Sequence, residues 1–467
     1  MRPDSELCPV EKVTMKGALL LFSRSLLLEA ADAALSASRA EQTQVNVNAE
    51  TFHLTRFNNN QIHQTLTREN VLLTVKVIDQ NRVGIASTSR LTKEAIQQTA
   101  EQALLFARLQ QPNPNLGPLP SPRPLRPANS FIQSTAEFSA EQRAEAASKT
   151  IEVARSAGLT SSGTISAGIE QRLVRNSLGV DAYEQSTSGF YRTIMNNGEI
   201  TGYADRVIKD VNDLNVVAVA NEAKRKATLF SQSRDIAPGE YVTIFEPVAV
   251  ADLVRFLGYT SFGATSKQDG RSFMASKLGQ QVMGTNVTIW DDALDPECLM
   301  QAFDAEGTPK QKVMLIDRGV AAGVTYDAQT AHREGRQSTG HGASGRRWYG
   351  VVPSHMLMAT GDMPVDQMIR TTKRGILVTR FHYTHCPDPM RVVATGTTRD
   401  GTFLIEDGQI VARLRNLRFT ESLLSAFGRI SGISPDRRLT RDWWSTFISV
   451  LPALRIDGFH FTGATTF

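Results

Sequence analysis

Apolar and polar residues alternate along two stretches near the start of the chain, Gln44–Phe57 and Asn70–Asp79, with a shorter run at Ile62–Leu66. A period of two predicts β-strands that bury one face. The period then changes, because apolar residues after Thr92 recur on one side of a helix. These residues are Ile96, Ala100, Ala103, Leu104 and Ala107. The pattern predicts an α+β unit over residues 17–112.

Seven prolines lie between Gln110 and Pro127. Proline has no backbone N–H, so this stretch predicts a stiff, extended linker, which we place at residues 113–135. Ser139 and Gln142 then form a capping-box pattern that opens a helix. Strands are predicted over 166–176, 182–196 and 199–206, followed by a helix over 213–226. Residues 136–237 are therefore predicted to form a central α+β domain.

The remaining residues, 238–467, are predicted to form a β-rich domain that opens with the strand Tyr241–Phe245. Farther on, Met390–Ser422 contains β-rich runs separated by Asp400-Gly401 and Asp407-Gly408. Asp-Gly pairs suit the positive φ angles of type I′ hairpin turns, so this stretch predicts a β-meander. The predicted fold class is α+β, with two smaller N-terminal units and a C-terminal domain rich in meanders.

Several short motifs follow one another in the C-terminal domain in a specific order. They are AEGTP from Ala305, LIDRGV from Leu315, STG from Ser338, GDMPVDQMI from Gly361, KRGILVT from Lys373, TRDGTFLIEDG from Thr398 and RNLRFTES from Arg415. In order and spacing the chain resembles the TldD/PmbA family, also called the modulator of DNA gyrase family. The last two motifs are most similar to its PmbA (TldE) branch. The resemblance spans residues 45 to 467.

The resemblance implies a zinc site that this chain does not encode. In catalytic TldD-type members, the strand that opens the third domain leads into a helix with an HExxxH motif, whose histidines bind zinc and whose glutamate is the expected base. The corresponding segment, Ile244–Gly263, contains no histidine. We expect no catalytic residue and no metal ligand here, with Gly258 following the helix end. Val254, Arg255 and Gly258 are predicted to line a chamber at the place of the missing motif.

An alternative metal site is provided by the segment FHYTHC. If Gly375–Phe381 is a strand that runs into a loop, His382, His385 and Cys386 could converge on one ion, with His332 or His341 as a distant fourth ligand. The competing interpretation is a surface loop without a metal.

Composition narrows the possible partners and the compartment. A net charge of +4 on 467 residues, with lysine and arginine scattered along the chain, does not favour nucleic-acid binding. Three cysteines without CxxC spacing fit a reducing compartment. Arg24, Glu29 and Asp32 interrupt the apolar run Gly17–Leu35, so it predicts an amphipathic helix and no membrane span. We expect a cytoplasmic protein without a cleaved signal peptide.

Three functional hypotheses remain from the sequence. The resemblance implies a PmbA/TldE-like, metal-free subunit of a TldD-type metallopeptidase complex, in which the partner subunit supplies zinc and cleaves unstructured peptides. The second hypothesis is an independent metallopeptidase that uses the His/Cys site. The third is a non-catalytic homodimer that binds peptides.

Overall fold

The computed structural model of the chain describes residues 13–15, 18–20, 22–343, 350–441 and 447–465. Two short strands, β1 (Val13–Met15) and β2 (Ala18–Leu20), form an antiparallel pair at the start. The rest of the described chain forms two large sheets with helices packed on them. The predicted α+β class is confirmed.

Six antiparallel strands form the N-terminal sheet, in the order β5-β4-β3-β6-β7-β8. They are β3 (Gln42–Asn58), β4 (Gln61–Asp79), β5 (Arg82–Thr88), β6 (Thr160–Asn176), β7 (Asp181–Asn196) and β8 (Thr201–Ile208). Strand β3 pairs with β6 from Gln44–Asn176 to Phe57–Gly163. The two N-terminal units predicted from the sequence are therefore halves of one continuous sheet. The two runs predicted between residues 62 and 79 are likewise a single strand.

The helices of this region are α1 (Arg24–Ala37), α2 (Lys93–Arg108), α3 (Gln133–Ala136), α4 (Ala140–Ser156) and α5 (Val216–Thr228). Helix α4 begins with the predicted capping box of Ser139 and Gln142. Alternation in β3 places Val45, Val47 and Ala49 in the core with α1 and α2, so that the intervening Asn46 points to the opposite face. One face of the sheet carries the helices, and the other is largely polar.

The Pro-rich linker is hydrogen-bonded both to the N-terminal sheet and to the C-terminal domain. The backbone N–H of Leu119 donates to Gln42 in β3, and Asn176 donates to the Pro120 carbonyl. Toward the C-terminal domain, the N–H of Gly117 donates to Gln329 and Arg123 donates to the Ser338 carbonyl. The segment therefore connects the two halves of the sheet in chain order while packing against the C-terminal domain.

Twelve strands form the C-terminal sheet. They are β9 (Ser233–Arg234), β10 (Gly239–Phe245), β11 (Ile289–Asp291), β12 (Val313–Asp317), β13 (Val320–Ala321), β14 (His355–Met358), β15 (Arg374–Asp388), β16 (Val393–Glu406), β17 (Gln409–Leu414), β18 (Leu417–Ser422), β19 (Ile430–Arg441) and β20 (Ile448–Ala464). Strand β20 pairs with four neighbours, β10, β14, β18 and β19. Strand β9, predicted to belong to the central domain, pairs with β17 in this sheet.

The C-terminal helices are α6 (Pro247–Thr260), α7 (Ala264–Gln268), α8 (Met274–Lys277), α9 (Ala328–Arg333), α10 (Val365–Arg370) and α11 (Leu423–Gly428). The largest hydrophobic cluster lies between these elements and the sheet. Within the described residues, no helix is long and apolar enough to cross a membrane.

The predicted meander is present, with one turn misplaced. Asp407 and Gly408, at φ 45° and 78°, form the predicted turn between β16 and β17. Asp400-Gly401 was predicted to be a turn, and this is wrong. Both residues lie within β16, where the register against β15 shifts between Val378 and Arg380. The positive φ of Asp400, 55°, belongs to a β-bulge, which uses the same backbone conformation as the turn.

Candidate functional site

Helix α6 stands where the family resemblance predicts the zinc helix. Glu246 precedes it, and Pro247 occupies its first turn, where a missing N–H costs nothing. The prediction that Gly258 follows the helix end is wrong, because the helix continues to Thr260. A Cβ at Gly258 would lie 2.4 Å from Phe447 Cζ and 2.9 Å from Met356 Cε. Close packing inside the domain therefore accounts for this glycine.

The two sides of α6 differ in chemistry. One side is buried in the core through Ala249, Val250, Leu253, Val254 and Leu257. The other side lines a cavity through Val248, Ala251, Asp252, Arg255, Phe256 and Tyr259. Of the three predicted chamber residues, Arg255 lines this cavity. Val254 and Gly258 do not, because both side-chain positions face the core; the prediction for them is corrected.

The helix cavity, as we name the space beside α6, has a volume of about 540 Å³. Its opposite wall is the polar face of the N-terminal sheet, through Phe190 and Arg192 of β7 and Tyr203 and Asp205 of β8. On α6, Asp252 lies 3.0 Å from the Arg255 guanidinium. Arg255 also donates to Thr384 Oγ1 at 2.9 Å.

At the bulge in β16, Asp400 is hydrogen-bonded both to the N-terminal sheet and to a residue that lines this cavity. Asp400 accepts hydrogen bonds from Thr201 of β8 at 2.6 Å and from Arg380 Nε at 2.7 Å. Burial alone would raise the pKa of Asp400, but Arg380 and Thr201 outweigh it and the pKa is lowered. Burial and the neighbouring Asp205 raise the pKa of Tyr203 well above its ordinary value, so this phenol stays protonated. The cavity walls are thus built from paired charges and aromatic rings.

The alternative His/Cys metal site is not formed. Residues 382–388 continue strand β15, where a loop was predicted. The Nδ1 atom of His382 lies 3.3 Å from Arg399, while His385 is exposed. Cys386 is half-buried, and its Sγ lies 3.6 Å from the Asp388 carbonyl oxygen.

The predicted fourth ligands lie elsewhere. His332 is on α9, and His341 is buried against Asp291. Across the described part of the chain, no group of three His, Cys, Asp or Glu side chains is placed to hold a metal ion. The residues on the cavity side of α6 include no imidazole, and its one carboxylate is paired with Arg255. These residues do not fit a zinc ion.

A second cavity, of about 380 Å³, was not predicted from the sequence. We name it the connector cavity, because Asn129, Ser130 and Ile132 at the end of the Pro-rich segment form part of its wall. The N-terminal sheet supplies another wall through Asn46, Asn48, Glu170, Arg172, Ser186 and Ser188, which occupy alternate positions on β3, β6 and β7. Most of the remaining lining residues belong to the C-terminal domain.

A buried polar network forms the C-terminal wall of the connector cavity. Asp291 accepts from His341 Nε2 at 2.8 Å and from the backbone N–H groups of Ser354 and His355 at 2.7 Å. Burial alone would raise the pKa of Asp291, but these partners, His341 foremost, hold it well below its usual range. Lys310 Nζ donates to Ser354 Oγ at 2.7 Å. Burial and the Lys310 charge lower the pKa of His355 to about 3, so its imidazole is neutral.

Strand β7 connects the two cavities. Its residues Ser186 and Ser188 line the connector cavity, and Phe190 and Arg192 line the helix cavity on the same face. Arg441 borders both cavities and donates to Ser188 Oγ at 3.3 Å. Because residues two apart on a strand are about 7 Å apart, the two cavities adjoin along one strand. A single extended ligand is long enough to reach from one to the other.

Comparison with known proteins gives the chain a family. Residues 238–463 match the PmbA/TldA metallopeptidase C-terminal domain, and residues 45–107 match PmbA/TldA metallopeptidase domain 1. An uncharacterized protein of Methanocaldococcus jannaschii is 31% identical over 217 residues, which are 46% of this chain and 49% of that protein. The metalloprotease PmbA of Escherichia coli O157:H7 is 23% identical over 403 residues, which are 83% and 85% of the two chains.

The fold also matches a solved structure. TldE from Thermococcus kodakarensis superposes with a TM-score of 0.84 at 20% identity, over 94% of this chain and 100% of that chain. In sequence, the match spans about half the length of the first archaeal relatives. The two domain matches together cover most of the chain, from Val45 to Gly463 with one gap. The chain therefore belongs to the PmbA/TldD family of metallopeptidase-like proteins.

Proposed function

We propose that this chain is the metal-free, substrate-holding subunit of a TldD-type zinc peptidase complex. The observation that carries the proposal is helix α6, which corresponds by resemblance to the zinc helix of the family's catalytic members. It contains no histidine, and its cavity side carries Ala251, Asp252 and Arg255. A zinc ion needs three or four protein ligands in fixed geometry. The partner subunit then supplies zinc, its histidines and the base, and acts on unstructured peptides in the cytoplasm.

The role of this chain is to hold the peptide. The helix cavity and the connector cavity adjoin along β7, and their facing side chains provide hydroxyl, amide and aromatic groups. Such groups suit a peptide backbone with mixed side chains better than a nucleic acid, which needs a dense basic surface. An extended segment lying along β7 passes Ser186, Ser188 and Phe190 in turn.

The test compares peptide cleavage by this chain alone, by a TldD-type subunit alone and by their mixture. We expect cleavage from the mixture, no cleavage from this chain alone, and loss of activity when zinc is removed from the partner. Full activity from the partner alone would exclude a required subunit. Cleavage by this chain alone would support an independent enzyme. Peptide binding by a homodimer that does not bind a TldD-type chain would support the third hypothesis.

A pair of matched substitutions tests the cavity itself. Ala251→Trp fills part of the helix cavity, so we expect a rise of KM in the mixture of about 10-fold or more. Ala140→Trp places the same side chain on the exposed first turn of α4 and should leave KM within about 2-fold. Equal effects of the two substitutions would show that the helix cavity does not hold substrate.

A further inference from the structure

Partly exposed aromatic rings stand on three separate walls of the helix cavity. Phe190 belongs to β7, Tyr259 to α6 and Tyr383 to β15. Phe190 and Tyr259 are half-buried, whereas Tyr383 is 83% exposed. Val248 and Ala251, also half-buried, add apolar surface on the cavity side of α6. Because these groups come from three elements, an apolar side chain in the cavity can contact rings on several sides.

Tyr383 combines its exposure with a strained backbone. Its φ is 54°, in the left-handed region that aromatic residues rarely adopt. The register of β15 against β16 moves from the pair His382–Thr397 to the pair His385–Thr395, so β15 has one extra residue there. Tyr383 therefore lies in a β-bulge, where glycine fits without strain. An exposed ring and a strained backbone both destabilise the free chain, and such strain occurs mostly at functional sites.

The charged side chains around these rings favour a neutral ligand. Both carboxylates that line the cavity form ion pairs, Asp252 with Arg255 and Asp205 with Arg438. Four arginines line the cavity against these two carboxylates, which opposes the entry of a lysine or arginine side chain. An acidic side chain would have to compete with Asp252 for Arg255, and with Asp400 for Arg380. The charges therefore disfavour both classes of charged side chain.

We propose that the helix cavity binds an aromatic side chain of the bound peptide, and that the Tyr383 ring packs on this side chain at the opening of the cavity. The proposal rests on the proposed function, since it takes the ligand to be a peptide held for a TldD-type partner. The volume of about 540 Å³ is ample for one aromatic side chain. Because rings pair edge-to-face or offset-stacked, phenylalanine gains more here than leucine does.

The experiment measures binding of unlabelled peptides to this chain alone by isothermal titration calorimetry. The peptides are serine-alanine hexapeptides, capped at both ends, that differ only at one central position. This position carries phenylalanine, leucine, lysine, glutamate or alanine. We expect the phenylalanine peptide to bind at least about 10-fold more tightly than the alanine peptide, and about 3-fold more tightly than the leucine peptide. The lysine and glutamate peptides should bind no more tightly than the alanine peptide.

Substitutions of Tyr383 separate binding from stability. Tyr383→Phe keeps the ring and should keep the preference for phenylalanine over alanine within about 2-fold. Tyr383→Asn removes the ring and should lower this preference about 5-fold or more. Because asparagine tolerates the left-handed conformation, the Tm of Tyr383→Asn should equal or exceed that of the unmodified chain. A ring that served only the fold would instead lower the Tm when removed.

Two further substitutions locate the effect. Phe190→Ala removes the ring on the β7 wall and should also lower the preference for phenylalanine. Phe106→Asn is the matched control, because Phe106 is 44% exposed on α2, on the other face of the N-terminal sheet. It should keep the full preference. Circular dichroism verifies that each variant is folded, and Tyr383→Asn decides the outcome if Phe190→Ala is not.

Equal or unmeasurable binding of the phenylalanine and alanine peptides would overturn the proposal, as would tighter binding of a charged peptide. A preference for phenylalanine that survives Tyr383→Asn would also overturn it. The cleavage assay with the TldD-type subunit separates this failure from failure of the proposed function. A mixture that cleaves peptides while this chain shows no aromatic preference would refute only the aromatic site. An aromatic preference without cleavage by any mixture would refute only the complex.

Discussion

The two cavities share a strand and a sheet face but are built in different ways. The wall of the connector cavity is a buried network in which Asp291, His341 and Lys310 come from three separate segments and each polar group has a partner. One wall of the helix cavity is formed by one side of a single helix, α6, whose other side carries the core packing. We therefore expect the cavity side of α6 to tolerate substitution better than the core side.

The strongest test of this difference places histidine on each side of α6. Val254→His puts a polar ring into a fully buried position, so we expect a loss of about 4 kcal/mol or more in the free energy of unfolding. Ala251→His lies on the cavity side and should cost no more than about 1 kcal/mol. Urea denaturation measures the free energy of unfolding of both variants. Similar losses from the two substitutions would mean that the sides of the helix are wrongly assigned.

The second test compares one aspartate from each cavity. Asp291→Asn replaces one of the two acceptor oxygens with an NH2 donor, which must face either His341 Nε2 or the backbone N–H groups that Asp291 now accepts from. We expect a loss of about 3 to 4 kcal/mol. Asp252→Asn alters a partly exposed pair on α6 and should cost about 1 kcal/mol or less. Thermal denaturation of both variants measures the difference. A small effect of Asp291→Asn would show that the connector cavity does not depend on its network.

The third test measures how stability depends on pH through Glu306, a buried carboxyl group at the edge of the connector cavity. Burial raises the pKa of Glu306 from its ordinary value of 4.5 to about 7, with the charges of Asp304 and Asp327 adding to burial and Lys76 opposing it. Because the carboxyl pKa is raised in the folded state, its stabilising contribution is complete below pH 4.5 and is lost as pH rises to 7. Over that window we expect wild type to lose about 2 to 3 kcal/mol relative to Glu306→Gln.

Urea denaturation of both proteins at several pH values across this window measures the Glu306 effect. The glutamine stays uncharged and can still accept from the N–H of Ala328, as Glu306 does at 2.9 Å. The difference in free energy between the two proteins should therefore change with pH, while titrating groups that do not interact with Glu306 cancel. Asp304 does not cancel, because its charge acts on Glu306. A constant difference would contradict a raised pKa for Glu306.

The smallest expected effect is in strand β15, just beyond the residues that line the helix cavity. His385 is exposed and its Nδ1 lies 3.5 Å from the Tyr383 carbonyl, so His385→Ala should change stability by less than about 0.5 kcal/mol. The zinc content of the purified chain, measured by elemental analysis, should not change either. Cys386→Ser serves as the companion variant. A fall in zinc content in both variants would restore the alternative metal site.

Local patterns predicted much of the fold. The alternation in β3, the capping box of α4 and the Asp407-Gly408 turn each depend on residues close in sequence, and the structure has them. The prediction of a turn at Asp400-Gly401 was wrong because the same backbone conformation suits both a turn and a bulge. Pairing of β16 with β15 on one side and β18 on the other decides between the two, and sequence spacing does not contain that information.

The sites were harder to predict because they depend on contacts between residues that are far apart in the sequence. The missing histidines could be seen in the sequence, but the orientation of α6 could not, since Val254 and Arg255 are neighbours that face opposite ways. The connector cavity joins β3, β6 and β7 to residues beyond Cys298. One local signal was present: Asn46 and Asn48 alternate with buried valines, which indicates a polar wall on the second face of β3.

Strand β20 is synthesised late, although several earlier strands pair with it. It pairs with β10, which precedes it by about 200 residues, and with three other strands. At roughly 5 to 20 residues per second, a ribosome that has completed β10 needs about 10 to 40 seconds more to complete β20. During that interval, β10 and β14 have edges whose partner does not yet exist. Nascent chains of this protein are therefore expected to depend on a chaperone that shields strand edges until translation passes residue 464.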